Sequence, residues 1–89
     1  MPKMTLNITN ERGLHARASA KFVEIVEAHD AEAEVSRDGM SVSGDSIMGL
    51  LMLAASNGTS IEVETSGADA DRLAAELKSL VEDKFGEGK

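Results

Sequence analysis

His15 and Arg17 are the pair in this sequence whose types and spacing could do chemistry. His15 follows Gly13 and Leu14 and stands where an apolar helical pattern begins, with Arg17 two residues on. The first turn of a helix has backbone N–H groups without intrahelical acceptors and carries the positive end of the helix dipole, so it suits an anion. A neutral imidazole is a nucleophile toward phosphorus. Once phosphorylated, it carries about two negative charges. The amides of Ala16 and Arg17 and the Arg17 guanidinium could hold that charge through charge-assisted hydrogen bonds. Only partial stabilisation would serve, because a phosphoryl group bound too tightly could not be passed on. A transfer site should also be open and should lack the carboxylate base and bound water of a phosphatase. The residues alone leave a second role open, in which His15 merely caps the helix. The other histidine, His29, lies in Ala28-His29-Asp30 at the far end of the same helical pattern. There a cationic ring complements the negative end of the dipole, which is a structural role. With the two histidines at opposite ends of one helix and no ligand cluster at zinc spacing, neither a metal nor a cofactor is expected.

A second feature begins at Ser46, which has the residue type of an N-cap and precedes Ile47-Met48-Gly49-Leu50-Leu51-Met52-Leu53-Ala54-Ala55. Winding this segment as a helix puts Leu50, Leu53 and Ala54 on one face and Ile47, Met48, Leu51, Met52 and Ala55 on the other. Both faces are apolar. Either the helix is buried all round, with Gly49 permitting a close approach, or its second face is an exposed patch for a protein partner. Methionine-rich surfaces adapt to several partners. A phosphate on Ser46 would meet a helix N-terminus and place negative charge at the rim of that patch, altering binding without altering the fold. Plain capping is the other role open to Ser46.

The elements that position these residues follow from periodicity. Met4, Leu6 and Ile8 alternate with polar residues, giving a strand that ends near Thr9. Ala18, Phe22, Ile25 and Val26 form the stripe of a helix that starts near His15 and closes at Asp30. Ala31, Ala33 and Val35 alternate in a second strand, and Asp38-Gly39 turns the chain into a third strand at Met40 and Val42. The Ser46 helix runs to about Ala55. Ile61, Val63 and Thr65 mark a fourth strand after Asn57-Gly58, and Leu73, Leu77, Leu80 and Val81 mark a last helix from about Asp69 to Gly86. The order βαββαβα in one short chain predicts an α+β fold, a mostly antiparallel sheet with helices on one face and water on the other.

Composition narrows the function. The chain has 89 residues, enough for one domain, and no cysteine, so its core must rest on packing. Sixteen acidic against nine basic side chains give a net charge of -7, and aromatics make up 2%. That balance repels nucleic acid and anionic lipid and offers little for base stacking. The longest uncharged apolar run, Ile47 to Ala55, is far short of the roughly 20 residues that cross a bilayer. With no signal-peptide pattern at the start, the expected setting is the cytoplasm.

Gly13-Leu14-His15-Ala16-Arg17-Ala18-Ser19-Ala20, followed at this spacing by Ser46-Ile47-Met48-Gly49, resembles the histidine-containing phosphocarrier (HPr) family of the bacterial phosphotransferase system. The resemblance spans nearly the whole chain. It implies an open-faced β-sandwich, with a four-stranded antiparallel sheet and three helices on one side. It implies a monomer in which His15 accepts a phosphoryl group on Nδ1 from enzyme I, charged by phosphoenolpyruvate, and hands it to an enzyme IIA-type acceptor. Arg17 matches the arginine that neutralises phosphohistidine. Ser46 matches the serine that an ATP-dependent HPr kinase/phosphorylase modifies in many members. Ala20, Ile47, Met48 and Leu51 match the partner-docking surface. The chain would then be a stoichiometric carrier and not a stand-alone catalyst. Ala18 departs from the proline common in the sugar branch, and Arg12 from a small polar residue. These departures leave open the nitrogen-related branch, whose members act by phosphorylation-dependent binding to target proteins. A small phosphatase-type enzyme on a similar scaffold is the remaining rival.

Overall fold

The computed structural model describes residues 2–89. Four strands, β1 (Lys3–Asn7), β2 (Glu32–Arg37), β3 (Met40–Ser43) and β4 (Ser60–Ser66), form one sheet in the order β1-β4-β2-β3 with every neighbour antiparallel. The helices are α1 (Ala16–Glu27), α2 (Ile47–Met52) and α3 (Ala70–Glu82), and a 3-10 turn follows at Lys84–Gly86. The chain therefore has the open-faced α+β architecture that its pattern predicts.

Register explains which face is buried. Met4, Val63, Val35 and Val42 stand opposite one another across all four strands, one apolar row under the helices. Because side chains alternate along a strand, the next row over, Thr5, Glu62, Ser36 and Ser41, faces away from the core. From above, α1 supplies Ala18, Phe22 and Val26, α2 supplies Leu50, and α3 supplies Leu73, Leu77 and Val81 to the core.

Three helix ends differ from the sequence expectation. The first helix stops at Glu27 instead of Asp30, with the Ala28 N–H bonded to Glu24 O at 3.1 Å. The second stops at Met52, because Ala54 turns into the left-handed region at φ 52. That bend carries Ala55 into the core and leaves Ala54 exposed, the reverse of the arrangement an unbroken helix would give. The third ends at Glu82, and Lys84 and Phe85 both take positive φ, 54 and 55. Left-handed backbone costs about 1–2 kcal/mol per residue, about 2–4 kcal/mol for the two together. Full burial of the Phe85 ring returns an amount of the same order, about 1.5–3 kcal/mol. The kink is thus stabilised by what it buries, and it aims the following residues back across the start of α1.

His29 joins two helices, as its structural assignment predicts. Its Nδ1 bonds Ile25 O at 2.7 Å in the last turn of α1, and its Nε2 meets Glu76 Oε2 on α3 at 2.6 Å. The Ile25 carbonyl, then the Glu76 carboxylate, and more weakly Asp69, raise its pKa above the ordinary histidine value. A raised folded-state pKa gives stability that is complete below the unfolded value, about 6.5, and disappears as pH rises through the folded value. The urea midpoint of the natural protein should therefore exceed that of His29→Gln by more at about pH 5.5 than at about pH 8.5. A difference independent of pH would remove His29 from this link.

Candidate functional site

The loop before α1 is fixed by a close backbone approach. Gly13 has φ 67, and a Cβ there would lie 2.6 Å from Ala55 O and 2.8 Å from Ser56 Cα, so a side chain has neither the space nor the conformation. Next to it, Leu14 N donates to Ala55 O at 2.8 Å. Asn10, fully buried, donates from Nδ2 to Gly13 O at 2.8 Å and closes the loop on itself. His15 emerges from this clamp at the N-cap position with φ -79 and ψ -177.

The His15 side chain makes no capping bond; only its carbonyl serves the helix, accepting from Ser19 N at 2.8 Å. This removes the side-chain capping role that the sequence left open. The amides of Ala16 and Arg17 have no intrahelical acceptor and take no part in the backbone bonds around the loop. Both residues are exposed, and His15 is partly so. Arg17 forms no ion pair among the described residues. It lines an open depression together with Glu11, Arg12, Lys21, Gly86, Glu87 and Lys89. Four cations thus gather in a chain whose net charge is -7. Arg12, without a role from sequence alone, belongs to this cationic group.

Sequence reasoning missed Glu87. Its Oε2 meets His15 Nε2 in a short contact, and its Oε1 accepts from Asn10 Nδ2 at 3.0 Å. The hydrogen bond from His15, then that from Asn10, hold the Glu87 carboxyl below the ordinary glutamate pKa against the opposing effect of burial, with Arg12 adding a weaker pull. Glu87 lies 72 positions from His15, between two glycines and beyond the last helix, where no periodicity marks it. The segment is tied down further by Lys21 Nζ donating to Phe85 O at 2.6 Å and Glu11 N donating to Lys89 O at 2.9 Å. No His15 Nδ1 hydrogen bond forms among the described residues.

Ser46 caps α2, its Oγ accepting from Gly49 N at 3.0 Å. Of the two fates open to the apolar helix, the structure has the exposed one: Ile47 is 40%, Met48 71%, Leu51 37% and Met52 63% exposed. Leu50 and Leu53 turn inward. Helix α2 packs against α1, where Ala20 is half-buried. No group of histidine, aspartate and glutamate side chains able to hold a metal occurs among the described residues. Nor is any helix among them long and apolar enough to cross a membrane.

Fold and site together define a class, a small open-faced sandwich presenting a partly exposed histidine at a helix start beside an arginine. A family model described as "PTS HPr component phosphorylation site" matches residues 2–83. The phosphocarrier protein HPr of Neisseria meningitidis serogroup A is 47% identical over 88 residues, covering 99% of both chains. The phosphocarrier protein NPr of Escherichia coli is 36% identical over 86 residues, covering 96% of both. A crystal structure of HPr from Thermoanaerobacter tengcongensis superposes with a TM-score of 0.93 at 36% identity, covering 98% of both chains. The chain belongs to the HPr family of phosphotransferase-system phosphocarriers.

Proposed function

We propose that this protein carries a phosphoryl group on His15, taking it from phosphorylated enzyme I and delivering it to an enzyme IIA-type acceptor. The observation that carries this reading is the state of the His15 ring. One nitrogen is bonded to Glu87 and the other takes no partner among the described residues, at a helix start lined with amides that have no intrahelical acceptor and with Arg17. The Nδ1 lone pair attacks the donor's phosphorus, the bond to the donor breaks with its electron pair staying on the donor atom, and a P–N bond forms. The amides of Ala16 and Arg17 and the Arg17 guanidinium hold the phosphoryl oxygens. Delivery is the same displacement in reverse, with the acceptor's nucleophile attacking phosphorus and His15 leaving. A carrier is favoured over a phosphatase because both oxygens of Glu87 are engaged by His15 and Asn10, which leaves that carboxylate unsuited to activating water.

Ala20, Ile47, Met48 and Leu51 form the docking surface in this proposal. A phosphate placed on Ser46 by an HPr kinase/phosphorylase would weaken docking there. The nitrogen-related reading, in which the phosphorylation state of His15 selects target proteins, draws support from the NPr relative.

Intact mass spectrometry after incubation with enzyme I and phosphoenolpyruvate should show one acid-labile phosphate, and His15→Ala should abolish it with an unchanged circular dichroism spectrum. A His15→Ala protein that still gains phosphate on nitrogen would end the assignment. Arg17→Ala should slow transfer by about 10- to 100-fold, the kinetic equivalent of losing one charge-assisted bond worth ~1.5–3 kcal/mol. Undiminished transfer would take Arg17 out of the mechanism. Aspartate is itself a good N-cap, so Ser46→Asp should keep α2 intact while weakening binding to enzyme I. Equal affinity would leave Ser46 with capping alone.

A further inference from the structure

The carboxylate of Glu87 faces two N–H donors from two different residues, Asn10 Nδ2 on one oxygen and His15 Nε2 on the other. An ionised carboxylate can only accept, so the proton of the histidine contact belongs to Nε2. Depression of the Glu87 pKa by these two bonds agrees with an ionised group. A glutamine could not replace it without loss, since an amide has one acceptor oxygen and here two donors converge. Neither end of the contact is loose. Asn10 is buried and pinned to Gly13 O, while the Glu87 segment is anchored by the buried Phe85 ring and the bonds from Lys21 and Glu11.

We propose that Glu87 is a positioning residue for phosphoryl transfer, keeping the His15 proton on Nε2 and fixing the ring so that Nδ1 alone is the nucleophile. The proposal rests on the carrier reading above. The two nitrogens of an imidazole are chemically distinct, and the hydrogen bond made by one decides what the other can do. As Nδ1 shares its electron pair with phosphorus, the ring becomes positively charged and the Nε2–H becomes a stronger donor to the facing carboxylate. The phosphoryl group forms on the side of the ring away from Glu87, so the two negative groups do not crowd each other. Without Glu87, both nitrogens compete for phosphorus and the ring is free to turn.

Phosphoramidate is a small donor that needs no docking surface and so tests this without enzyme I. Phosphorus passes to the ring nitrogen as its bond to the amine breaks, and ammonia leaves with the electron pair. Phosphorus and nitrogen NMR should place the phosphate of the natural protein on Nδ1 alone. Glu87→Ala should yield both Nδ1 and Nε2 products, with transfer to Nδ1 about 10- to 100-fold slower, the loss expected for one charge-assisted bond. Glu87→Gln, which keeps the volume and one acceptor and guards against a folding defect in the alanine variant, should fall between them. Modification of the natural protein at Nε2 would overturn the proposal. So would Nδ1-only modification at an unchanged rate in both variants. Refusal of phosphate from enzyme I by a natural protein that phosphoramidate modifies on Nδ1 would instead count against the carrier reading.

Discussion

The contact between the 84–89 segment and the loop before α1 is the constraint on which the site depends. Glu87 can reach His15 only because Lys84 and Phe85 enter the left-handed region, and that turn is held by burial of the Phe85 ring among the core residues. Packing of Phe85 in the core therefore bears on the orientation of the partly exposed His15 ring, through Glu87. Asn10 completes the coupling, with one side-chain amide serving both Gly13 O and Glu87 Oε1. A buried N–H donor and a half-buried carboxylate oxygen would be costly apart, and here each gives the other a partner, while Asn10 Oδ1 takes none among the described residues.

Charge is arranged locally against the average. The chain is strongly acidic overall, yet Arg12, Arg17, Lys21 and Lys89 converge on the depression beside His15. Glu62 points away on the outer face of the sheet, in register with Thr5 and Ser36. Strand alternation turns that acid away from the core side of the sheet without any dedicated device. Exposure of Ile47, Met48 and Leu51 has an equally simple origin. A six-residue helix on a four-stranded sheet has room to bury one side only, here Leu50.

Much of this was legible in the sequence, because it rests on local periodicity. The alternation at Ile61, Val63 and Thr65 and the stripe at Leu73, Leu77 and Val81 are buried as their spacing predicts. His15, Arg17 and the exposed residues of α2 could be found because residue type and helical phase carry the signal. Helix ends were less legible: Ala54 and Phe85 adopt backbone conformations that their residue types disfavour, and what accompanies them is tertiary, the burial of Ala55 beyond the first and of the Phe85 ring itself at the second. Glu87 was not legible at all, since its role comes from a fold-back that brings together residues 72 positions apart. Arg12 was visible as a departure but acquired a place only when the depression beside Arg17 was seen.

The account requires the two nitrogens of one ring to be in different states before any phosphate arrives. Nitrogen NMR of the neutral His15 ring in the unmodified protein measures this directly. A protonated Nε2 coupled across its hydrogen bond to Glu87, with a bare Nδ1, is the predicted result. A neutral ring carrying its proton on Nδ1, or exchanging it freely between both nitrogens, would contradict it.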